Sequence, residues 1–263
     1  MSRRLPQPDR RPTVVAGASS GIGSATAVAL AARGFPVALG ARRTTECEQV
    51  VDQIRYAGGT AVAHALDVTD AESVAAFAAK VTADLGDVEA VVSSAARLVP
   101  GRVHEVDTAE FAGEIDVNVL GVHRLVRAFV PAMVERRRGD VLLVSSDVVD
   151  TVRPFMSSYA TGKWAVEGLA RSLRLELEGT GVRVSVVRPG PTMTGMGMDW
   201  STADTAMVLD GWSRFGLTRN GHFMKPGAVA DVIAYVLDLP RGTTIPLVEV
   251  NPEPDLTPTE ETP

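Results

Sequence analysis

The sequence predicts an α/β domain with a doubly wound, seven-stranded parallel sheet and helices on both faces. Short apolar runs alternate along the chain with stretches whose apolar residues recur at helical spacing. Strands that alternate with helices favour a parallel sheet that is covered on both sides. The 263 residues, 45% of them hydrophobic, suffice for one large core. We therefore expect a single domain over residues 12–251.

Seven runs of apolar and β-branched residues are predicted to be strands. Most are separated by helical patterns such as "SVAAFAAKVTADLG". Two helices begin at predicted capping boxes, in which Glu72 follows Thr69 and Glu110 follows Asp107. The predicted strands cover residues 13–18, 36–41, 61–66, 89–95, 140–146, 182–188 and 245–250.

Three segments lie outside this alternation. Residues 1–11 and 252–263 are polar and Pro-rich, so we expect a disordered arm and a disordered tail. Residues 190–225 form a long insertion, predicted to be irregular, between the sixth strand and the last helix. Insertions of this length are usually functional, and we predict that this one is a lid over the substrate.

Composition argues against several classes of protein. A formal charge of −6 does not balance the phosphates of a nucleic acid. The single cysteine, Cys47, excludes a disulfide within the chain, and no spacing of histidines suggests a metal site. No apolar run approaches the roughly 20 residues that a membrane span needs, and the first residues lack the apolar core of a signal peptide. We expect a cytoplasmic protein without a membrane span.

A glycine-rich turn, "AGASSGIG", follows the first predicted strand and precedes a helix. In such turns one glycine makes the tight bend, one lets the backbone approach a pyrophosphate, and one allows the helix to pack on the strand. The N–H groups of the helix then face the anion. The turn predicts a nucleotide-binding segment formed by Gly17, Ser19, Ser20, Gly21, Ile22 and Gly23.

The end of the second strand distinguishes between dinucleotides. An acidic residue at this place would hold the ribose 2′-hydroxyl, but the sequence has Arg42 and Arg43. Guanidinium groups pair with a 2′-phosphate, so NADP(H) is favoured over NAD(H), with Arg42 as the preferred partner. The two arginines could instead be solvated residues at the start of a helix. Asp67 could accept a hydrogen bond from the adenine amino group or cap the next helix.

Six motifs in register resemble the short-chain dehydrogenase/reductase family over residues 12–250. They are "AGASSGIG", "LDV" at 66–68, "NVLG" at 118–121, "VSS" at 144–146, "YATGK" at 159–163 and "RPG" at 188–190. The resemblance implies a Rossmann-like fold and an oxidoreductase that transfers hydride between NADP(H) and a carbonyl or secondary alcohol. An NAD-dependent dehydrogenase of the same family and a non-catalytic nucleotide sensor are the alternatives.

The resemblance also implies a catalytic set. Tyr159 is the expected general acid/base, and Lys163, four residues later on the same helical face, would lower its pKa and hold the nicotinamide ribose. Without the other motifs, this pair would be an ordinary one on a surface helix. Ser146, which lies 13 residues before Tyr159, would orient the substrate oxygen. Asn118 resembles the family's asparagine that anchors a water relay to the lysine.

Further cofactor contacts are implied at the ends of other strands. They are Val68, Ala95, Pro189, Gly190, Thr192 and Thr194. The sequence departs from the family pattern in two places. The family has threonine where this chain has Ala16, and N-N-A-G where it has residues 93–96, "SSAA". Because both ends of one tie between strands are changed, we expect a different bonding scheme there.

The insertion is rich in methionine and aromatic residues, which can line a pocket for a bulky apolar ketone or alcohol. The same side chains could instead pack the lid onto the domain or onto another subunit. The predicted substrate contacts are Phe155, Met156, Met196 and Trp200. In the family, the helix that carries the catalytic lysine commonly pairs between subunits, so a homodimer or homotetramer is implied.

Overall fold

The computed structural model describes residues 11–217 and 223–253. Its centre is a seven-stranded sheet in the order β3-β2-β1-β4-β5-β6-β7, with every neighbouring pair parallel. The predicted fold class and all seven predicted strands are confirmed. The strands are β1 Thr13–Ala16, β2 Val37–Ala41, β3 Ala61–Ala65, β4 Ala90–Ser93, β5 Gly139–Val144, β6 Val182–Pro189 and β7 Leu247–Val250.

Helices cover both faces of the sheet. They are α1 Gly21–Ala31, α2 Thr44–Tyr56, α3 Ala71–Leu85, α4 Thr108–Ile115, α5 Gly121–Glu135, α6 Ser157–Glu176, α7 Thr202–Arg214 and α8 Pro226–Leu237. One apolar cluster joins α1, α2 and α8 to the sheet through Val15 and Leu39, and a second joins α3, α5 and α6 through Val14 and Val141. Successive side chains of a strand point to opposite faces, so each central strand supplies both clusters.

The strand order reverses beside β1, which lies between β2 and β4. In open α/β sheets, ligands bind at such a reversal, outside the carboxyl ends of the strands. The glycine turn that follows β1 and Ser146, which follows β5, therefore share this edge of the sheet.

The start of α3 differs from the sequence prediction. Asp70 is the N-cap residue, and its side chain accepts a hydrogen bond from the Glu72 backbone N–H. Thr69 instead donates to Asp67, so its predicted capping box is wrong. At α4, Asp107 caps the helix as predicted, but the Glu110 carboxylate bonds Arg97 rather than completing a box.

The segment 190–225 is not irregular throughout, because it contains α7. Ser201 begins this helix by accepting a hydrogen bond from the Asp204 backbone N–H at 3.1 Å. Residues 218–222 of the predicted lid lie outside the described residues, as do residues 1–10 and 254–263 of the predicted arm and tail. Arg11, assigned to the arm, instead belongs to the domain, since its guanidinium donates to the Leu237 carbonyl and pairs with Asp140.

One helical run in the described part of the chain, Thr108–Glu135, is long and apolar enough to cross a membrane by length and composition. The sequence prediction that no such run exists is therefore corrected. The run joins α4 and α5 through a π-helical turn, Asp116–Leu120. Its apolar residues Leu125, Phe129 and Met133 belong to the core cluster beneath the sheet, as in the central helices of globular domains.

Candidate active site

A cleft of about 1470 Å³ runs along the carboxyl edge of the sheet, from the glycine turn to the segment 190–225. It is lined by most residues that the sequence predicts for the site; Gly23, Asn118 and Phe155 are outside the lining. The predicted residues that line it are Gly17, Ser19, Ser20, Gly21, Ile22, Arg42, Arg43, Asp67, Val68, Ala95, Ser146, Met156, Tyr159, Lys163, Pro189, Gly190, Thr192, Thr194, Met196 and Trp200.

The glycine turn has the geometry that a pyrophosphate-binding loop needs. Gly17 has a φ of 82°, and a Cβ placed there would lie 2.5 Å from the Ala95 backbone nitrogen. Gly21 has a φ of 58° and faces Thr194 across the cleft. A Cβ at Gly23 would lie 2.2 Å from the Gly17 carbonyl oxygen, so Gly23 serves helix–strand packing rather than direct contact. These residues fit a dinucleotide whose phosphates lie at the start of α1.

Backbone bonds close the turn where the family pattern is altered. The Ser94 N–H donates to the Ala16 carbonyl at 3.0 Å, and the Gly17 N–H donates to the Gly40 carbonyl at 2.8 Å. The Ala16 side chain has no hydroxyl to contribute, so the connection between β1 and β4 at this point is made through the backbone. This agrees with the different bonding scheme expected from the sequence.

Arg43 is the arginine that reaches the glycine turn. Its Nη2 donates to the hydroxyl oxygens of Ser19 and Ser20, both at 3.1 Å. Arg42 also lines the cleft and interacts electrostatically with Asp67. The geometry therefore favours Arg43 over Arg42, the partner that the sequence favoured, because Arg43 joins two hydroxyl groups in one polar corner.

Asp67 holds the turn after β3. Its carboxylate accepts from the Thr69 hydroxyl at 2.7 Å and from the Thr69 N–H at 2.9 Å, which keeps its pKa below the ordinary value. Since Asp70 caps α3, the alternative role of Asp67 as the helix cap is excluded. The carboxylate remains part of the cleft wall.

Ser146, Tyr159 and Lys163 meet at the inner end of the cleft. All three are buried. Ser146 follows β5, while one turn of α6 separates Tyr159 from Lys163 and places the lysine Nζ 5.3 Å from the centre of the tyrosine ring. The lysine ammonium donates to the Val144 carbonyl at 2.8 Å, which fixes it between α6 and the end of β5.

The ionisation of Tyr159 differs from the sequence expectation. Burial raises the pKa of Tyr159 to about 12, although the Ser146 hydroxyl lowers it in part. Burial lowers the pKa of Lys163 to about 8. Lys163 is hydrogen-bonded to the backbone, and desolvation outweighs any stabilisation of the phenolate in the protein alone. The expected lowering of the tyrosine pKa is therefore wrong for this state.

Asn118 lies behind the cleft wall in the π-helical turn, a distortion that is frequent at functional sites. Its side chain accepts from the Arg97 N–H and donates to the Arg97 carbonyl, both at 2.8 Å. Asn118 thus holds the loop after β4 in place, and α6 packs against it at Gly162. Its role in a water relay stays a prediction.

The part of the cleft wall between Tyr159 and α7 is largely apolar. Leu98, Val148, Met156 and Tyr159 form a small buried cluster, against which Trp200 and Trp212 pack. Phe155 is not part of this wall. It has a φ of 67° and lies under α7, where a Cβ at Gly211 would be 2.3 Å from its ring, so its predicted contact with substrate is corrected.

The wall also holds charged residues for which the sequence predicted no contact, among them Asp147 and Arg153, and it includes Trp212 of the insertion rich in methionine and aromatic residues. Asp147 directly follows Ser146, and this adjacency was the available signal. Arg153 and Trp212 come from a loop and from α7, and only the folded chain brings them to the cleft. The described residues contain no group of three metal-ligating side chains.

Known proteins resemble the chain in sequence and in fold. The family model described as short chain dehydrogenase matches residues 11–205. Glycine betaine reductase ATRR of Emericella nidulans is 34% identical over 91% of this chain, which spans 18% of that longer protein. The alcohol dehydrogenase of Thermococcus sibiricus, solved with 5-hydroxy-NADP, is 31% identical with a TM-score of 0.79, over 92% of this chain and 96% of that one.

A second solved structure, a single-residue variant of the actinorhodin polyketide ketoreductase with NADPH, is 27% identical with a TM-score of 0.83. The match covers 93% of this chain and 97% of that one. The match to the family model spans the glycine turn, the serine after β5 and the tyrosine–lysine turn of α6. The chain therefore belongs to the short-chain dehydrogenase/reductase family of oxidoreductases.

Proposed function

We propose that this protein is an NADP(H)-dependent oxidoreductase that interconverts a carbonyl and a secondary alcohol. The observation that carries the proposal is one cleft that is lined both by Ser146, Tyr159 and Lys163 and by the glycine turn with Arg43. The NADP(H) compounds bound in the structures of two relatives support the choice of cofactor. The cofactor would supply the hydride.

Each residue then has a defined task. Tyr159 donates a proton to the substrate oxygen during reduction and accepts it during oxidation. Ser146 orients that oxygen beside the tyrosine hydroxyl. Lys163 holds a positive charge near the tyrosine ring and favours the phenolate once its side chain is drawn from the Val144 carbonyl towards the ligand.

The expected substrate is apolar and bulky, of steroid, terpenoid or fatty type. Leu98, Val148, Met156, Trp200 and Trp212 supply apolar surface close to Tyr159, which supports this class. Met193 and Met198, in contrast, are mostly exposed and belong to none of the apolar clusters of the described residues. A substrate that bridges the cleft to these methionines would bury them, as expected for a lid.

A homodimer or homotetramer in the cytoplasm belongs to the same proposal. Trp164 and Leu175 on α6 are 51% and 75% exposed, and Leu120 beside α5 is 46% exposed. Pairing of α6 between two subunits would cover such side chains. Light scattering tests this part, because a monomeric mass would exclude it.

The direct test is a titration of the purified protein with NADPH and with NADH, followed by nicotinamide fluorescence. We expect tighter binding of NADPH, and then NADPH oxidation with acetophenone or a fused-ring ketone such as decalone. Tighter binding of NADH would exclude Arg43 as the partner of a 2′-phosphate. Turnover of only small polar carbonyls or sugars would exclude the apolar substrate.

A further inference from the structure

A chain of polar contacts runs from the active-site serine to the lid helix. The Ser146 hydroxyl donates to the Asp147 carboxylate at 3.2 Å. Arg153 donates hydrogen bonds to both oxygens of that carboxylate, from its Nη1 at 2.9 Å and from its Nη2 at 2.5 Å. The Arg153 guanidinium carbon lies 5.7 Å from the centre of the Trp212 ring on α7. Ser146 and the lid are therefore joined through one ion pair.

This ion pair is largely withdrawn from solvent. The Arg153 side chain is 9% exposed and that of Asp147 is 14% exposed, and both line the cleft. Apolar residues of similar volume are often at least as stabilising as a buried ion pair, so stability alone is a weak reason for one here. Its place directly beside Ser146 points to a role in the reaction.

The loop that carries the pair is held at both ends. The Val148 N–H donates to the Ser146 Oγ at 3.3 Å, and the Trp212 indole N–H donates to the Pro154 carbonyl at 3.4 Å. A serine hydroxyl rotates freely unless its partners fix it. Here the Asp147 carboxylate accepts from the Ser146 hydroxyl, the Val148 N–H donates to it, and Arg153 holds the Asp147 carboxylate.

We propose, on the basis of the oxidoreductase function above, that Asp147 and Arg153 are positioning residues. They hold the Ser146 side chain beside Tyr159, from where its hydroxyl turns from Asp147 to the substrate oxygen, and they balance the charge beside Tyr159. Trp212 keeps Arg153 in place when α7 lies over the cleft. When bound substrate moves α7, Trp212 moves with it and changes how well Arg153 and Asp147 hold Ser146 in place. The position of α7 is therefore coupled to the position of Ser146.

The charges around Tyr159 predict the direction in which each substitution moves the pKa of Tyr159. Tyr159 is faced by Asp147 and Arg153 from the loop after β5, by Glu114 from α4, and by Lys163 from its own helix. Asp147 and Glu114 raise the pKa of Tyr159, whereas Arg153 lowers it. Removing one or the other charge of the pair must therefore move the tyrosine pKa in opposite directions, which general damage to the fold would not do.

The test uses variants that keep side-chain size, namely D147N, R153Q and the double variant, in a Y56F/Y235F background. Tyr159 is then the sole tyrosine, because the chain has three. Tyrosinate absorbance follows its titration without cofactor or substrate, and circular dichroism checks the fold at each pH. We expect D147N to lower the pKa of Tyr159 by about one unit and R153Q to raise it, with the double variant near the parent.

Activity gives the second readout. With NADPH and acetophenone or decalone, we expect kcat to fall about tenfold in the double variant while the NADPH dissociation constant is unchanged, because the ion pair that holds residue 147 beside Ser146 is lost. D87N, at an exposed ion pair with Arg136, is the matched control and should change neither quantity.

The outcomes separate the two proposals. An unmoved Tyr159 titration in both single variants, or an unchanged kcat in the double variant, overturns the positioning role. If a single variant does not fold, the double variant, which lacks both charges of the ion pair, still tests the positioning role through its kcat. A parent protein that reduces neither ketone and oxidises no alcohol, but whose Tyr159 shifts as expected, contradicts the proposed function instead.

Discussion

The Lys163 ammonium nitrogen lies 5.3 Å from the centre of the Tyr159 ring, with both side chains buried on successive turns of α6. Burial lowers the pKa of Lys163 to about 8 and raises that of Tyr159 to about 12. In the protein alone, the environment therefore disfavours the charged form of each residue. At neutral pH Tyr159 therefore carries its proton, and Lys163 keeps its positive charge with a reduced preference for it.

This burial predicts how stability depends on pH. The pKa of Lys163 falls from 10.5 to about 8 on folding, so between these values the unfolded chain binds more protons. The lysine therefore makes folding more favourable as pH rises through this window, by up to about 1.4 kcal/mol per pH unit. Tyr159 acts oppositely between 10 and about 12, because its pKa rises on folding.

Urea unfolding of the parent and of Lys163→Met at several pH values between 8 and 10 measures this effect. The parent should gain stability relative to the variant as pH rises. Lys80→Met, which changes an exposed lysine on α3, is the control and should follow the parent. Parallel pH dependence of the parent and Lys163→Met would show that Lys163 is not buried as described.

Arg43 predicts the cofactor preference. Its Nη2 contacts the hydroxyls of Ser19 and Ser20, and a 2′-phosphate in this corner would add a charge-assisted hydrogen bond. Arg43→Ala should weaken NADPH binding roughly 10- to 100-fold and leave NADH binding unchanged. Arg42→Ala is the matched comparison, with a smaller expected loss. A larger loss in Arg42→Ala would reverse this assignment.

We predict that Asp140, at the amino end of β5 and away from the cleft, contributes to the stability of the fold. Its buried carboxylate accepts from the Arg183 Nε at 2.5 Å and pairs with Arg11. Asp140→Asn would leave the buried Arg183 guanidinium without its counter-charge and Arg11 with Glu89 alone, at a cost of about 3–5 kcal/mol. Chemical denaturation measures this loss. Asp87→Asn, at an exposed residue, is the control. Equal losses of stability in the two variants would contradict the claim that the buried Asp140 carboxylate stabilises the fold more than an exposed one does.

Much of the fold follows from local sequence pattern. The strands are continuous apolar runs because both faces of the sheet are covered, and this pattern survives in the structure. The helix starts are harder to predict, since Thr69 and Asp70 are both good N-cap residues and the turn made by Asp67 and Thr69 decides between them.

Local sequence patterns predict only part of the candidate site. Motifs placed Ser146, Tyr159 and Lys163 at one point because each has a fixed position on a strand end or a helix turn. Arg153 and Trp212 reach the cleft through the path of a loop and the docking of α7, which no local pattern encodes. The raised pKa of Tyr159 was missed for the same reason, because burial depends on the whole wall around it.

The replacement Tyr159→Phe tests the central claim most directly, with turnover of acetophenone or decalone measured beside the NADPH dissociation constant. Phenylalanine keeps the ring and removes the hydroxyl that exchanges the proton. We predict a loss of kcat of about 10²-fold or more with the dissociation constant unchanged. Undiminished turnover in Tyr159→Phe would contradict the assignment of Tyr159 as the general acid/base.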